Sequence, residues 1–416
     1  MTEIGPPGTG PSGRPRVGPR PLALHLAAHA WTILTSRAAL PLLKNGSLAW
    51  RPQVAEAAAA LAQDLGGISP DAFAAAVDVE TRRRIGGFLQ GLDDYRHSPY
   101  QRTLIDPPVV WEEGTTRLLD YGSGGDGVPL MVVPSLVNRS YVLDLTAERS
   151  FMRFMAARGF RPFLVDWQAP GEMERRYTLT DYVAGRLERV LDVIAGLTGK
   201  KPAVAGYCMG GMLALGLATR RPADVAALIL LATPWDFHAE RNDHMMRLDV
   251  VRPAFETIVD MIGELPVDLL QTLFAALDPT LVDRKFRSFA AMDRNSPKAA
   301  EFMALEDWVN DGIPLAGAVA GECLFDWYGE NTPHNRRWPI AGRPVLPESV
   351  AAPAMAIVPS RDRIVPPPSA EALADAIPGA RKEVVNAGHI GMITGGGAVR
   401  LVYEPVAEWL RSVILE

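Results

Sequence analysis

Hydrophobic and polar positions follow one pattern before about residue 105 and another after it. Residues 22–98 place apolar side chains at helical spacing and include a Ser-Pro-Asp helix start at 69–71. From about residue 105 onward, short apolar runs bounded by Gly and Pro alternate with amphipathic helical stretches. Continuous apolar runs are typical of strands that are buried on both faces. The pattern predicts a helical N-terminal region over 22–104, followed by an α/β domain over 105–416 with a mostly parallel, doubly wound sheet.

Three stretches need a separate interpretation. Residues 1–21 are rich in Gly, Pro and Arg and lack the apolar core of a signal peptide, so we predict a disordered leader. Residues 236–348 show no clear strand–helix alternation, and we predict a helical cap inserted between two core strands. The stretch 22–43 is apolar but contains His25 and His29, which argue against a transmembrane segment. We predict a packed amphipathic helix there, with a helix on a membrane or granule surface as the alternative.

Charge and cysteine content exclude several classes of function. The formal net charge is -6 and no long basic run occurs, so nucleic-acid binding is not expected. The two cysteines, Cys208 and Cys323, cannot form a disulfide framework or a CxxC metal motif, which favours a reduced, cytoplasmic compartment. The histidines are scattered without ligand spacing, so we expect no metal site.

The segment AGYCMGG, residues 205–211, predicts a nucleophile. A strand leads into Cys208 and an apolar helix follows at once, while Gly206 and Gly210 supply the small neighbours that such a sharp turn requires. The N–H groups at the start of the helix would stabilise a thiolate, and the N–H of Met209 would be one oxyanion donor. A structural cysteine in a glycine-rich turn is the alternative, whereas a dinucleotide-binding turn lacks its G-x-G-x-x-G signature here.

A thiol nucleophile requires a base, and the base requires an acid that orients it. Asp362 follows the strand-like run AIVPS, and His389 follows the run VVNAG. The 27 positions between them leave room for one helix and one strand, so both side chains would meet Cys208 at the carboxyl edge of the sheet. Asp236, also at a strand end, is the rival acid. The rival histidines are His238, His244 and His334.

The loop after the strand VPLMVVPS is expected to supply the second oxyanion donor. Its candidates are Ser135, Leu136 and Val137, of which we select Leu136.

Five sequence blocks together resemble the polyhydroxyalkanoate synthases, a family with the α/β-hydrolase fold. The blocks are VVPSLVNRSYVLDL (132–145), VDWQAPG (165–171), GYCMGG (206–211), SRDRIVP (360–366) and AGHIG (387–391). The resemblance implies that Cys208 carries the acyl group and that His389 is the general base. It also implies that Asp362 is the partner of His389 and takes part in activating the 3-hydroxyl of the substrate.

The same resemblance implies an (R)-3-hydroxyacyl-coenzyme A substrate, a polyester product, no further cofactor, a homodimer and a granule surface as partner. Two other functions remain open on the residues alone. A cysteine-nucleophile hydrolase of thioesters, esters or polyesters would use the same three side chains. A scaffold protein with this fold would have no physical need for all three at strand ends.

Overall fold

The computed structural model describes residues 9, 10, 13, 15–240 and 248–414. The chain divides into two compact units: unit 1 comprises 1–101 and 271–310, and unit 2 comprises 102–270 and 311–416. The predicted cap, 236–348, is therefore shared between the two units, with 271–310 in unit 1. The predicted boundary near 104 lies close to the junction at 101/102.

The described residues form helices and strands with the following bounds. The helices are α1 (Leu22–Ala38), α2 (Leu40–Lys44), α3 (Pro52–Asp64), α4 (Pro70–Arg96), α5 (Phe151–Ala157), α6 (Glu188–Thr198), α7 (Met209–Arg220), α8 (Leu248–Ile262), α9 (Val267–Leu277), α10 (Leu281–Ala290), α11 (Pro297–Asn310), α12 (Gly317–Gly321), α13 (Pro367–Ala376), α14 (Gly391–Thr394) and α15 (Glu404–Ile414). The strands are β1 (Val109–Glu113), β2 (Thr116–Asp120), β3 (Val128–Val133), β4 (Phe160–Asp166), β5 (Ala203–Tyr207), β6 (Ala227–Leu231), β7 (Glu264–Leu265), β8 (Leu315–Ala316), β9 (Pro339–Ile340), β10 (Arg343–Pro344), β11 (Ala354–Pro359) and β12 (Arg381–Val385). Three π-helical segments cover Asp181–Leu187, Glu322–Gly329 and Val399–Tyr403, and short 3-10 turns cover Ser140–Leu143, Glu174–Arg176 and Pro347–Ser349.

Unit 2 is built on an eight-stranded sheet in the order β1-β2-β4-β3-β5-β6-β11-β12. The pairs from β4 to β12 are parallel, and β1 and β2 form an antiparallel edge. All residues of β5, β6 and β11 are buried, as the continuous apolar runs predicted, because helices cover both faces of a parallel sheet. The parallel arrangement brings the carboxyl ends of β3, β5, β6, β11 and β12 to one edge.

Unit 1 is helical and has its own core. Phe88, Leu92 and Tyr95 on α4 pack against Phe286 and Phe289 on α10. The apolar positions at helical spacing in 70–96 thus find partners almost 200 positions later in the chain. None of the described helices is long and apolar enough to cross a bilayer.

The N-terminal segment of unit 1 is anchored by a buried ion pair. Arg16 contacts both carboxylate oxygens of Asp307, at 2.7 and 2.8 Å, and also donates to the carbonyls of Ser98 and Tyr100. The Tyr95 hydroxyl donates to the same carboxylate at 3.0 Å. The prediction of a disordered leader is therefore wrong at Arg16, because a buried guanidinium with these partners fixes the backbone around it. Residues 1–8, 11, 12 and 14 lie outside the described part of the chain.

Candidate active site

Cys208 occupies a strained turn between β5 and α7. Its backbone has φ 55° and ψ −126°, a conformation that non-glycine residues rarely adopt and that is found preferentially at functional sites. The turn is held on both sides: the N–H of Cys208 donates to the carbonyl of Leu231 at 2.8 Å, and its carbonyl accepts from the N–H of Gly211 at 2.9 Å. The sequence prediction of a strand–turn–helix around this cysteine agrees with this geometry.

Steric contacts with the backbone explain why both residues that flank the turn, Gly206 and Gly210, are glycines. A Cβ atom on Gly206 would lie 2.4 Å from the carbonyl oxygen of Gly210. A Cβ atom on Gly210 would lie 2.1 Å from the carbonyl oxygen of Val133, at the end of β3. Both approaches are to backbone atoms, which cannot move aside without displacing the sheet or the helix.

Asp362 and His389 lie together at the same edge of the sheet. Asp362 follows β11, His389 follows β12, and the His389 Nδ1 atom is 2.6 Å from Asp362 Oδ2. The other carboxylate oxygen, Oδ1, accepts the backbone N–H groups of Ile364 and Val365 at 2.8 and 2.9 Å. The Asp362 side chain is fully buried, so all of its hydrogen-bonding partners are fixed. An ionised carboxylate can only accept, and His389 therefore presents Nδ1–H to it and directs Nε2 elsewhere.

The nucleophile lies within electrostatic range of the His389 ring. His389 is hydrogen-bonded to Asp362 and feels the charge of Cys208, so the three predicted residues belong to one site. Burial by itself would lower the pKa of His389. A charge on the Cys208 sulfur, together with Asp362 and its hydrogen bond, outweighs burial and raises the pKa of His389 to about 10. A proton on His389 is therefore favoured once the sulfur is charged, as a base that takes the proton of the thiol requires.

Tyr207 is a further residue of this site, which the sequence pattern did not identify. Its hydroxyl donates to the backbone carbonyl of His389 at 3.1 Å, and its ring stacks on the imidazole with centroids 5.3 Å apart. The tyrosine stands in the quoted AGYCMGG segment. No one-dimensional pattern, however, indicates which residue a strand-end side chain will reach 182 positions later.

The loop after β3 lies beside the turn and contains the candidate oxyanion donors. The Trp167 indole donates to the Pro134 carbonyl at 3.1 Å, and the Ser135 hydroxyl accepts the N–H of Val137 at 3.0 Å. The Val137 N–H is thus engaged locally. Leu136 and Met209 are both buried, and Met209 is the first residue of α7. Their N–H groups remain the predicted oxyanion donors.

The described contacts of the rival acid Asp236 and of the rival histidines His238 and His334 are with other partners. Asp236 Oδ1 accepts from the side chain of Asn331 at 2.7 Å and from the N–H of His238 at 2.9 Å, and its Oδ2 lies 3.9 Å from His334. The His238 ring faces the carbonyl of Tyr328. His244 lies outside the described residues.

The π-helical segment Glu322–Gly329 lies within electrostatic range of the nucleophile. Burial raises the pKa of Cys323 and of Tyr328, and a charge on Cys208 raises both further. Burial also raises the pKa of Glu322 to about 7, although its carboxylate accepts the N–H of Leu179 at 2.7 Å. Wide helical turns of this kind are frequent at functional sites, and no sequence pattern indicated this one. Within the described ranges, no group of His, Cys, Asp and Glu side chains is arranged to hold a metal ion.

The chain is similar to proteins of known family over most of its length. A family model described as alpha/beta hydrolase fold matches residues 128–396. The poly(3-hydroxyalkanoate) polymerase subunit of Haloferax mediterranei is 29% identical over 72% of this chain and 63% of its own length. The corresponding subunit of Allochromatium vinosum is 29% identical over 79% of this chain and 94% of its own length. A monoacylglycerol lipase structure from Paleococcus ferrophilus is 18% identical, with a TM-score of 0.47, over 72% of this chain and 99% of that one.

The family-model match confirms the predicted fold class, and the similarity to the two polymerase subunits confirms the predicted resemblance. The matched residues, 128–396, contain Cys208, Asp362 and His389. The chain spans about two thirds of the Haloferax relative and nearly all of the Allochromatium one. It belongs to the α/β-hydrolase fold family, and it is similar to the poly(3-hydroxyalkanoate) polymerase subunits.

Proposed function

We propose that this chain is an acyltransferase that polymerises (R)-3-hydroxyacyl-coenzyme A through an acyl thioester on Cys208. The observation that carries the proposal is the hydrogen-bonded pair of Asp362 and His389 at the same sheet edge as Cys208, which lies on a strained turn within electrostatic range of His389. The names of the similar proteins, poly(3-hydroxyalkanoate) polymerase subunits, supply the choice of reaction. A coenzyme A thioester is the substrate, and the reaction calls for no further cofactor.

The first step loads the acyl group. His389 Nε2 takes the proton of the Cys208 thiol, and the sulfur attacks the carbonyl carbon of the hydroxyacyl-coenzyme A. The N–H groups of Met209 and Leu136 stabilise the oxyanion that forms. The bond from the carbonyl carbon to the coenzyme A sulfur then breaks. The leaving thiolate takes the proton from His389, which gives free coenzyme A and an acyl-Cys208 thioester.

The second step extends the chain. The 3-hydroxyl of another hydroxyacyl-coenzyme A gives its proton to His389, and its oxygen attacks the acyl carbon on Cys208. An ester bond forms, the carbon–sulfur bond to Cys208 breaks, and the sulfur recovers its proton from His389. The lengthened chain is now a coenzyme A thioester and returns to Cys208 by the first step. Each cycle therefore releases one coenzyme A and adds one ester bond.

Sulfur suits this sequence of steps better than oxygen does. Exchange between two thioesters is nearly balanced in free energy, so Cys208 can accept the acyl group without forming a deep trap. The acyl–sulfur bond stays reactive toward the hydroxyl that attacks next. A hydrolase of ordinary esters would gain little from either property.

We also propose a polyester granule surface and a second copy of the chain as partners. Helix α1 leaves Trp31 70% and Leu34 67% exposed, which is unusual for large apolar side chains. An apolar polymer surface would cover them. Light scattering on the wild type and on the double variant Trp31→Ser/Leu34→Ser gives the mass in solution and tests the second copy. Retention of the same two proteins on polymer tests the granule surface. Unchanged mass and unchanged retention on polymer for the double variant would contradict the role of α1.

The test of the activity is incubation with 3-hydroxybutyryl-coenzyme A, with the wild type beside Cys208→Ala. Free coenzyme A, free acid and insoluble polymer are measured in the same reaction. We expect coenzyme A together with polymer from the wild type and neither from Cys208→Ala. Stoichiometric free acid without polymer would make the chain a cysteine hydrolase instead. If the wild type released neither coenzyme A nor free acid, an acyl-transfer role with this substrate would be contradicted.

A further inference from the structure

Tyr207 links the strand that carries the nucleophile to the loop that carries the histidine. It is the last residue of β5, is only 4% exposed, and directly precedes Cys208. Its hydroxyl donates to the His389 carbonyl at 3.1 Å, and its ring lies over the imidazole at an interplanar angle of 29°. One side chain therefore holds both the backbone and the ring plane of His389.

These contacts complement the one that Asp362 makes. Asp362 fixes a single atom, Nδ1, at 2.6 Å, and a ring held at one atom can still tilt about that hydrogen bond. The stacked face of Tyr207 limits the tilt, and the hydroxyl limits movement of the loop. The loop has a further anchor at Ala387, whose carbonyl accepts the N–H of Arg361 at 2.9 Å.

Burial favours the neutral hydroxyl that this arrangement needs. Burial raises the pKa of Tyr207 well above its ordinary value, and charges on Cys208 and Asp362 raise it further. The hydroxyl therefore keeps its proton and remains a donor over the whole working pH range.

We propose that Tyr207 is a positioning residue that aims Nε2 of His389 at the sulfur of Cys208. The inference rests on the roles proposed above for Cys208 and His389. It extends them because Tyr207 touches neither substrate nor reacting atoms and acts only through the histidine. Since Tyr207 and Cys208 are consecutive, any shift of the turn would move the base together with the nucleophile and preserve their distance.

Tyr207→Phe removes one hydroxyl and keeps the ring. The His389 carbonyl would then be buried without its partner, and the loop would relax to find another one. A displacement of about 1 Å at a reacting group can cost on the order of 100-fold in rate. For Tyr207→Phe we expect acylation to slow by about 10- to 100-fold, with KM unchanged.

Tyr403→Phe is a matched control from the same unit. Tyr403 is fully buried, and its hydroxyl also donates to a backbone carbonyl, that of Ile393. Its recorded ring contacts are with Phe151 and Phe154. Both variants lose the same group in the same kind of environment, so a general loss of stability would affect them equally.

The test is alkylation of Cys208 by iodoacetamide in the intact chain, followed by mass spectrometry of its peptide over a range of pH. This readout needs no substrate and so is independent of the polymerase activity. We expect Tyr207→Phe to slow alkylation near neutral pH at least tenfold and to move the profile to higher pH, because the sulfur loses its aligned imidazolium. Tyr403→Phe should keep the wild-type profile.

Each outcome decides the proposal. Identical profiles for Tyr207→Phe and wild type, or equal slowing in both tyrosine variants, would overturn it. If Tyr207→Phe does not fold, 3-fluorotyrosine at the same position preserves the shape and strengthens the donor, and an unchanged profile then overturns the proposal. If alkylation responds as expected while the wild type makes no polymer, the positioning role stands and the polymerase proposal fails.

Discussion

Asp362→Asn should disable acylation by trapping His389 in the wrong tautomer. The amide that replaces the carboxylate has one oxygen and one NH₂ group. If the NH₂ took the place of Oδ1, it would face the N–H groups of Ile364 and Val365, and two buried hydrogen bonds would be lost. Each unmade buried bond costs about 1–3 kcal/mol, so the amide oxygen will stay on that side.

The NH₂ group must then face His389 Nδ1. An NH₂ only donates, so Nδ1 must be unprotonated and the proton must reside on Nε2. In the proposed mechanism that nitrogen accepts the proton of the Cys208 thiol, and once protonated it can no longer do so. Restoring the productive tautomer would forfeit both buried bonds with Ile364 and Val365, about 2–6 kcal/mol together, which corresponds to a loss of about 30-fold to 10⁴-fold in rate.

Single-turnover acylation separates this role from one in elongation. Rapid mixing with 3-hydroxybutyryl-coenzyme A and quantification of acyl-Cys208 by mass spectrometry reports the first step alone, and polymer yield reports both. We expect Asp362→Asn to slow acylation by at least about 30-fold, and Asp236→Asn, at the rival strand end, to leave it within about threefold. A normal acylation rate with abolished polymer would refute the tautomer reasoning and assign Asp362 to the hydroxyl of the incoming substrate.

Three other predictions concern packing, the buried ion pair and pH. Gly210→Ala places a Cβ atom 2.1 Å from a backbone oxygen and should lower the free energy of unfolding by about 3 kcal/mol in urea titrations, whereas Gly196→Ala, with open space around it, should change it by less than about 1 kcal/mol. Arg16→Met leaves the Asp307 carboxylate buried without its cation and should lower the free energy of unfolding by about 3–5 kcal/mol. A second change, Asp307→Leu, should recover part of that loss, and additive losses would contradict a coupled pair. The pKa of Glu322 is raised from 4.5 to about 7 in the folded chain. As pH rises between those values, the wild type should therefore lose up to about 3 kcal/mol of stability relative to Glu322→Gln. Parallel stability curves for the two proteins would contradict this.

The fold and the central residues of the site could be predicted because their signals are local. Gly206 and Gly210 flank Cys208 within five positions, and the steric demand they meet belongs to the turn itself. Asp362 and His389 follow apolar runs, and the ends of parallel strands share one edge by construction. Their contact at 2.6 Å follows from these positions.

What could not be predicted depends on contacts between distant positions. The pattern of 1–21 describes composition and cannot show that Arg16 has a carboxylate partner 291 positions away. The stacking of Tyr207 on His389 and the wide turns of Glu322–Gly329 depend likewise on the assembled sheet. The stretch 271–310 looked like part of the cap because it interrupts the strand–helix alternation, but its apolar side chains pack with the first hundred residues.

The discontinuity of unit 1 sets an order of events during synthesis. Helix α4 is translated early, yet Phe88 and Leu92 have no core until Phe286 and Phe289 leave the ribosome. For nearly 200 codons this apolar face must stay solvated or be shielded by other factors, while most strands of the sheet are already available. Nascent chains that stop before residue 286 should thus expose α4 and aggregate or be captured by chaperones, whereas chains that extend past 310 can bury it. The helical unit at the start of the sequence is consequently among the parts of the molecule that cannot finish folding early.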